Sequence, residues 1–317
     1  MLNLVGIFLA LQVALPLFLI YFVARPGDMA GPGPVWWWWS WVAFTAASLS
    51  FLLVCLPWAQ FVPYVAVFLY PAAMVAAAYS AGGWPSAGVS AAVLGGAWYG
   101  MRRYCSPRPA APERIDILPP LAPGVYFVGQ GGGSGMVNHH YPSESQRYAL
   151  DITRLNGIGM RAWGLFPGDL RRFAIYGAAV CSPCDGTVTG VVDGLPDMEP
   201  WAQRDIMNIA GNHIVILCRP GPVRDANVYV GLAHLQPASV AVRPGDAVRA
   251  GQLLARVGNS GNSTEPHLHI HAKIGGEPDC MLDGRGVPLT IRGRLLTRND
   301  IFRCRPTAQF PRAASRV

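Results

Sequence analysis

Charged residues are almost absent from the first third of the chain. Residues 1–100 contain one arginine, Arg25, and one aspartate, Asp28, but no lysine and no glutamate. Because these two charges cancel, the net charge of +7 lies entirely beyond residue 100. This segregation excludes an ordinary water-soluble fold for the N-terminal third and predicts a membrane region joined to a soluble domain.

Lysine is also nearly absent from the rest of the chain, where Lys273 is the only one and arginine supplies the other basic groups. No basic run is interleaved with aromatic residues, so we expect no nucleic-acid partner. The mild positive charge suits an anionic polymer or a membrane surface, although it also occurs in proteins with neither partner.

Long apolar runs predict an α-helical transmembrane region over residues 1–104. The tryptophans at 36–39 and Trp41 stand at the head of one run, as in the aromatic belt of a membrane interface. The last run is richer in glycine and alanine, so the number of helices stays at three or four. The predicted spans cover about residues 3–24, 35–57, 60–80 and, in the four-helix case, 83–100.

Two signals disagree on the orientation of this region. With four spans, Arg102 and Arg103 would hold the soluble domain in the cytoplasm by the positive-inside rule. The cysteines and the chemistry described below favour the opposite side. We expect an integral cell-membrane protein (of the inner membrane in a Gram-negative cell) with its soluble domain outside the cytoplasm.

Six of the seven cysteines lie beyond residue 100, an even number that permits disulfides and fits an oxidising compartment. Cys181-Ser-Pro-Cys184 has the spacing of a redox pair or of half a zinc knuckle. The sequence has no second Cys-x-x-Cys, and no thioredoxin-like βαβ pattern surrounds this one. The pattern therefore favours a structural disulfide or unpaired thiols.

Beyond the membrane region, the sequence divides into three parts. Residues 105–123 form a proline-rich linker, and residues 291–317 form an arginine-rich C-terminal tail. Residues 124–290 consist of short β-type runs, split by Gly, Pro, Asn and Asp and uninterrupted by any long amphipathic helix. This pattern predicts a mostly β fold, an antiparallel β-sheet domain.

Three histidines at alternate positions, His267, His269 and His271, follow a turn-rich segment that begins at Gly258. On a β-strand, residues two apart line the same face, so these imidazoles would lie side by side. Neutral imidazole is the commonest metal ligand in proteins. A bare His-x-His is more often a pair of surface histidines, so the interpretation depends on the rest of the chain.

The rest of the chain holds further patterns in a fixed order, and with this one they resemble the lysostaphin-type (LytM-like) zinc endopeptidases, which cut peptidoglycan cross-link peptides. The resemblance covers about residues 124–275 and leaves out the membrane region. The patterns are Asn138-His-His140 with Gln146-Arg-Tyr-Ala-Leu-Asp151, Gly211-Asn-His-Ile-Val-Ile216, Gly231-Leu-Ala-His234-Leu235, and Gly258-Asn-Ser-Gly-Asn-Ser-Thr-Glu-Pro-His-Leu-His269.

The resemblance implies a site with one zinc ion per chain. Asp151, His269 and His140 would be the metal ligands, leaving a fourth position open as catalytic zinc requires. His234 and His267 would flank a metal-activated water without binding the ion, to accept a proton and stabilise the developing oxyanion. The sequence does not assign these two tasks between them.

The chain departs from the family at one ligand. The usual first motif is His-x-x-x-Asp, but Arg147 stands four residues before Asp151. The nearest upstream histidines are His139 and His140, and either could reach the ion through a loop. We prefer His140, because some relatives have an Asn-x-His arrangement there.

The resemblance implies a membrane-anchored zinc metalloendopeptidase with a peptidoglycan peptide as its substrate. The alternative is a catalytically inactive, peptidase-like binding module that regulates cell-wall hydrolases, with a membrane protein or a wall enzyme as its partner. Such modules usually lose several ligands, whereas Asp151, His234, His267 and His269 are all present here. The enzyme is therefore the favoured hypothesis.

Weaker interpretations concern other residues. The segment from Val242 to Gln252 resembles the hairpin of biotinyl and lipoyl carriers, but the only lysine, Lys273, lies elsewhere. Phosphotransferase carriers of the glucose type are soluble and lack His-Leu-His with an upstream Asp. We interpret His213 as a partly buried or groove-wall residue, and His271 as support for a metal ligand or as a surface residue.

Overall fold

The structure is a computed structural model that describes residues 114–135, 137–164, 166–202, 204–219 and 227–305, with four isolated residues before them, 92, 95, 96 and 99. Fourteen short strands make up the described part from residue 114 onward. They are β1 (Ile115–Ile117), β2 (Gly124–Gln130), β3 (Leu150–Arg154), β4 (Ala179–Cys181), β5 (Gly186–Val192), β6 (Asn212–Cys218), β7 (Val228–Leu235), β8 (Ala247–Val248), β9 (Leu253–Arg256), β10 (Leu268–Ile274), β11 (Arg285–Val287), β12 (Leu289–Ile291), β13 (Arg294–Leu295) and β14 (Ile301–Cys304).

Nine of these strands form one antiparallel sheet in the order β14-β2-β3-β10-β7-β6-β5-β8, with β11 also paired to β10. Two small sheets accompany it: β4 pairs with β9, while β12 pairs with β13 and, in parallel, with β1. From residue 114 onward, the described part contains a single helical turn, a 3₁₀ turn at Leu170–Arg172 capped by the Asp169 carboxylate. The predicted mostly β, antiparallel fold is confirmed for this domain.

Strand β10 lies between β3 and β7 and has two different faces. Leu268, Ile270 and Ala272 alternate along one face and belong to the main hydrophobic core. Burying each of the two larger side chains stabilises the sheet by about 1.5–3 kcal/mol. The intervening residues carry polar side chains that are nevertheless almost fully buried, and the site is built on this second face.

Paired strands lie beyond both ends of the predicted peptidase domain, residues 124–290. Ile115–Ile117, placed in the linker 105–123, forms β1 and buries both isoleucines. The predicted tail 291–317 contains β13 and β14, and β14 pairs with β2 at the edge of the main sheet. Phe302 and Cys304 enter the core from β14, so the compact domain extends from residue 115 to residue 304.

The predicted spans 3–24, 35–57 and 60–80 lie outside the described residues, as does most of 83–100. Ala92, Gly95, Gly96 and Tyr99, which fall in the last span, have helical backbone. Among the residues that the structure describes, no helix is both long enough and apolar enough to cross a membrane.

One disulfide joins Cys184 to Cys218, across the antiparallel pair of β5 and β6. Cys181, the other half of the Cys-x-x-Cys, is a buried free thiol, as is Cys304. Burial raises the pKa of each of these two thiols to about 12. The Cys-x-x-Cys is therefore neither a redox pair nor a metal knuckle, as its isolation in the sequence indicates.

Candidate metal centre

Strand register places the two predicted ligands of the sheet side by side. His269 of β10 is paired with Asp151 of β3 on one side and with Ala233 of β7 on the other. Paired residues of adjacent antiparallel strands point to the same face, so the imidazole and the carboxylate meet. His269 Nδ1 lies 3.0 Å from Asp151 Oδ1.

His140 approaches the same carboxylate from a loop. Its Nε2 atom lies 3.1 Å from Asp151 Oδ1 and 3.0 Å from Oδ2, and its ring centroid lies 4.5 Å from that of His269. The structure thus brings together all three predicted ligands, His140, Asp151 and His269. The His140 side chain is 13% exposed, so the group is open on one side to an incoming molecule.

A buried asparagine holds the loop that carries His140. Asn138 Nδ2 lies 3.0–3.2 Å from the carbonyl oxygens of Gly132, Arg147 and Ala149, and Asn138 Oδ1 accepts from the backbone N–H of His140 at 3.1 Å. One amide thereby fastens the loop to the segment that enters β3. These bonds show how a histidine eleven residues upstream reaches the Asp151 carboxylate.

His139 also lies close to the site. Its ring is 3.9 Å from that of His140, and the ligand atoms of His139, His140 and Asp151 all lie within 4.8 Å of one another. His139 is exposed to solvent, however, and His140 is the one whose nitrogen lies in hydrogen-bond contact with the carboxylate. This geometry favours His140 as the first ligand.

The two predicted non-ligand histidines lie next to this group. Each is held through Nδ1 by a backbone carbonyl: His234 by Ser260 and His267 by Glu265, both at 2.8 Å. A carbonyl only accepts, so Nδ1 carries the proton and Nε2 presents a lone pair. His267 Nε2 lies 3.6 Å from Asp151 Oδ1, and the rings of His234 and His267 are 4.7 Å apart.

His234 has a left-handed backbone, with φ of 60°. This conformation is costly for a residue other than glycine and persists only where surrounding contacts impose it. The contacts here include the backbone bond from the His234 N–H to Ala210 O and the bond from its ring to Ser260. The strain lies at a residue that faces the candidate metal centre.

The segment 258–265 aligns both histidines through a buried hydrogen-bond network. Asn259 donates to Met198 O and accepts from Ser263, and the Ser260 hydroxyl donates to Leu235 O. Gly261, with φ of 79°, lies against the backbone of Gly211, where a Cβ atom would meet the Gly211 nitrogen at 2.4 Å. These small residues let two loops touch directly.

Glu265 is further fixed by an ion pair with the buried guanidinium of Arg161. Arg161 also lies over the rings of Phe173 and Trp201, at 5.6 Å and 5.4 Å. The carbonyl that orients His267 therefore belongs to a residue whose side chain is anchored in the domain interior.

Electrostatics suit this site to a cation. Burial is the largest influence on Asp151 and favours its neutral form, but the imidazoles of His140 and His267 outweigh it and hold the pKa well below its usual range. Burial lowers the pKa of His269 to about 3 and, with His267 next, holds that of His234 well below its usual range. The carboxylate is thus ionised while these imidazoles stay neutral, which is the state that metal ligands require.

Residues outside the predicted set also shape the site. Asn138, Asn259 and Ser260 stand inside the motifs read from the sequence, so their presence was visible although their partners were not. Glu265 also stands inside one of these motifs, but its ion pair with Arg161 was not visible, because a contact between residues 104 positions apart is set by the fold. The His213 ring contacts Gly211 O at 2.8 Å rather than the Asp151 carboxylate.

Residues 171–279 match the protein-family model of peptidase family M23. The matched segment is a peptidase M23 domain. The prediction of a LytM-like metallopeptidase domain, a hydrolase by class, is thereby confirmed. The matched segment contains His234, His267 and His269, whereas His140 and Asp151 precede it.

Solved structures show the same kind of resemblance. The catalytic domain of lysostaphin from Staphylococcus simulans is 22% identical, over 37% of this chain and 79% of that one, with a TM-score of 0.23. The prophage-encoded M23 protein EnpA from Enterococcus faecalis is 28% identical over 40% and 83%, with a TM-score of 0.20. A zinc-containing peptidase from Vibrio cholerae is 20% identical over 43% and 49%, with a TM-score of 0.24. With TM-scores this low, these structures carry no argument about the fold of this domain. No curated protein matches the chain significantly.

The donor set of the M23 domain fits a divalent metal ion. Two imidazole nitrogens approach one ionised carboxylate at 3.0–3.1 Å, and the non-ligating nitrogens of the flanking histidines are held by carbonyls. Two His and one carboxylate, with space left for a fourth ligand, make up the ligand set of catalytic zinc sites.

Proposed function

We propose that this chain is a zinc endopeptidase that hydrolyses peptide bonds in peptidoglycan cross-links. The observation that carries the proposal is the convergence of His140 Nε2, Asp151 and His269 Nδ1 beside two histidines, His234 and His267, each oriented through Nδ1 by a backbone carbonyl. Zinc held by the three ligands would supply Lewis-acid polarisation of a peptide carbonyl and activation of a water molecule.

The chain's own residues would supply the proton transfers. His234 is neutral and oriented by Ser260 O, so its Nε2 atom can accept a proton from an attacking water. His267, oriented by Glu265 O, lies on the open side with its side chain 16% exposed, where it can donate a hydrogen bond to the developing oxyanion once protonated. Asp151 stays ionised throughout and balances the charge of the ion.

The test is hydrolysis of purified, cross-linked peptidoglycan by the full-length protein in detergent. We expect release of free amino groups that requires zinc and is absent for His269→Ala, with His213→Ala as the histidine control outside the ligand group. A wild-type protein that binds zinc and wall fragments but cuts no peptide bond would favour the binding module that regulates wall hydrolases.

We further propose that residues 1–104 anchor the protein in the cell membrane and that the M23 domain lies outside the cytoplasm. The near absence of charge before residue 100 supports the anchor, and the Cys184–Cys218 disulfide supports an oxidising compartment. Alkylation of thiols in intact cells, before and after reduction, should find this pair oxidised. Two free thiols at 184 and 218 in growing cells would argue against this location.

A further inference from the structure

A second histidine on β10 extends the ligand group away from the solvent. His271 Nδ1 lies 3.0 Å from His269 Nε2, and His271 Nε2 lies 2.9 Å from the carbonyl oxygen of Met281. His269 and His271 are 2% and 1% exposed, so water does not replace these bonds. The chain of contacts runs from a backbone carbonyl through two imidazoles to the carboxylate of Asp151.

The direction of these hydrogen bonds follows from the carbonyl. Met281 O can only accept, so His271 Nε2 carries the proton, and His271 Nδ1, in a neutral ring, has a lone pair. That lone pair accepts from His269 Nε2, which places the single proton of His269 on Nε2. His269 Nδ1 then presents a lone pair 3.0 Å from Asp151 Oδ1, so the imidazole and the carboxylate both offer acceptors, as two ligands of one cation would.

We propose that His271, oriented by the Met281 carbonyl, is a positioning residue that fixes His269 in the tautomer whose Nδ1 binds the metal. The inference rests on the zinc site of the proposed function and adds the residue that prepares it. We call the hydrogen bonds from His269 through His271 to Met281 O the relay. Without it, the His269 proton could lie on Nδ1, where it would bond to Asp151 and block the position of the ion.

The carbonyl at the end of this relay is itself held in place. Met281 lies in the loop that joins β10 to β11 and belongs to a small buried cluster with Ala233 and Tyr229. Lys273, on the same face of β10, donates to Glu277 O at 2.9 Å and pairs with Asp283, both in this loop. The only lysine of the chain, 1% exposed, thus clamps the loop on both sides of Met281.

Two substitutions of His271 separate hydrogen bonding from packing. His271→Phe keeps most of the ring volume but removes the acceptor, whereas His271→Asn is smaller and keeps an oxygen that can accept from His269 Nε2. We expect His271→Phe to weaken zinc binding by about 10–100-fold, the usual effect of removing the partner of a metal-bound histidine. His271→Asn should recover most of that loss, and the matched control His213→Phe should bind like the wild type.

The measurement is zinc affinity of the full-length protein in detergent, by competition with a chromophoric chelator. Wild-type affinity in His271→Phe, or an equal loss in His271→Phe and His271→Asn, would overturn the inference because the acceptor would then not matter. Nitrogen-15 spectra of labelled histidines in the zinc-free wild type give a second test that needs no variant to fold. The relay predicts an Nε2-protonated His269, and an Nδ1-protonated His269 would overturn it.

These outcomes are distinguishable from failure of the proposed function. A wild-type protein that binds no zinc would defeat the zinc site, while the tautomer of His269 would still report on the relay. A protein that binds zinc and shows the predicted His269 tautomer, but cuts no peptide, would support the relay and contradict the proposed peptidase activity.

Discussion

The seven residues of β10 alternate between two faces, and the two faces serve different purposes. Leu268, Ile270 and Ala272 bury hydrocarbon in the main core, where any side chain of similar shape would serve. His269, His271 and Lys273 are buried as deeply, yet each has a specific partner for its polar atoms. The comparison shows that one face determines stability through volume, while the other determines chemistry through hydrogen-bond direction.

Beside the polar face of β10, a large effect is expected from the loss of either histidine that is not a predicted metal ligand. We expect His234→Ala and His267→Ala each to lower kcat/KM by about 10²- to 10⁴-fold, the usual contribution of a positioned acid or base. Zinc content should stay at the wild-type level, because neither is a ligand. A rate assay checks the fall in kcat/KM, and metal analysis of the same samples checks the zinc content. Loss of zinc in either variant would show that the residue is a ligand.

On the apolar face, the expected effect is on folding. Ile270→Ala should lower the free energy of unfolding by about 2–5 kcal/mol, since it leaves a cavity beneath β10. The activity per folded molecule should change little, because Ile270 points away from the histidines. Denaturant unfolding gives the first quantity, and activity normalised to bound zinc gives the second. A variant with normal stability but lost activity would contradict the division between the two faces.

The disulfide, like the apolar face of β10, contributes to the hydrophobic core, because Cys218 lies in the core cluster and Cys184 packs against it. Replacing both cysteines with serine should cost about 2–4 kcal/mol of stability. Zinc affinity should be unchanged, since neither cysteine contacts the site. Denaturant unfolding and chelator competition measure the two quantities. Weakened zinc binding with unchanged stability would show that the disulfide supports the metal site rather than the core.

The smallest effect is expected at Asn138, which lies outside the sheet and holds the loop that carries His140. Asn138→Ala leaves buried carbonyls and one N–H without partners and should cost about 1–3 kcal/mol. Zinc affinity should fall as well, because the loop no longer holds His140 against Asp151. The control Ser145→Ala removes one bond of the same loop to Leu282 O and should leave zinc affinity near that of the wild type.

The sequence predicted the polar face of β10 well, because alternation has a fixed physical meaning. Residues two apart share a face on a strand, and the structure places His269 and His271 together on β10, with His267 just before the strand and near Asp151. Strand pairing then set Asp151 beside His269. The choice between His139 and His140 was harder, since it depends on the loop that Asn138 holds.

The two outermost strands, β1 and β14, were not expected from the sequence, and the reason is the same for both. Strands β1 and β14 are three and four residues long and lie in segments dominated by proline or arginine, so local composition argued against them. Their pairing partners are distant in sequence: β1 joins β12, and β14 joins β2. Short strands of this kind are stabilised by non-local pairing, which a local pattern does not reveal.

The measurement that tests the account most directly is the zinc content of the purified full-length protein and three variants: His140→Ala, His139→Ala and His269→Ala. The geometry predicts about one zinc per chain in the wild type and in His139→Ala, and none in the other two, because a catalytic site of this class has three protein ligands. A protein that keeps its zinc in His140→Ala and loses it in His139→Ala, or a wild type without zinc after reconstitution, would contradict the proposed metal centre.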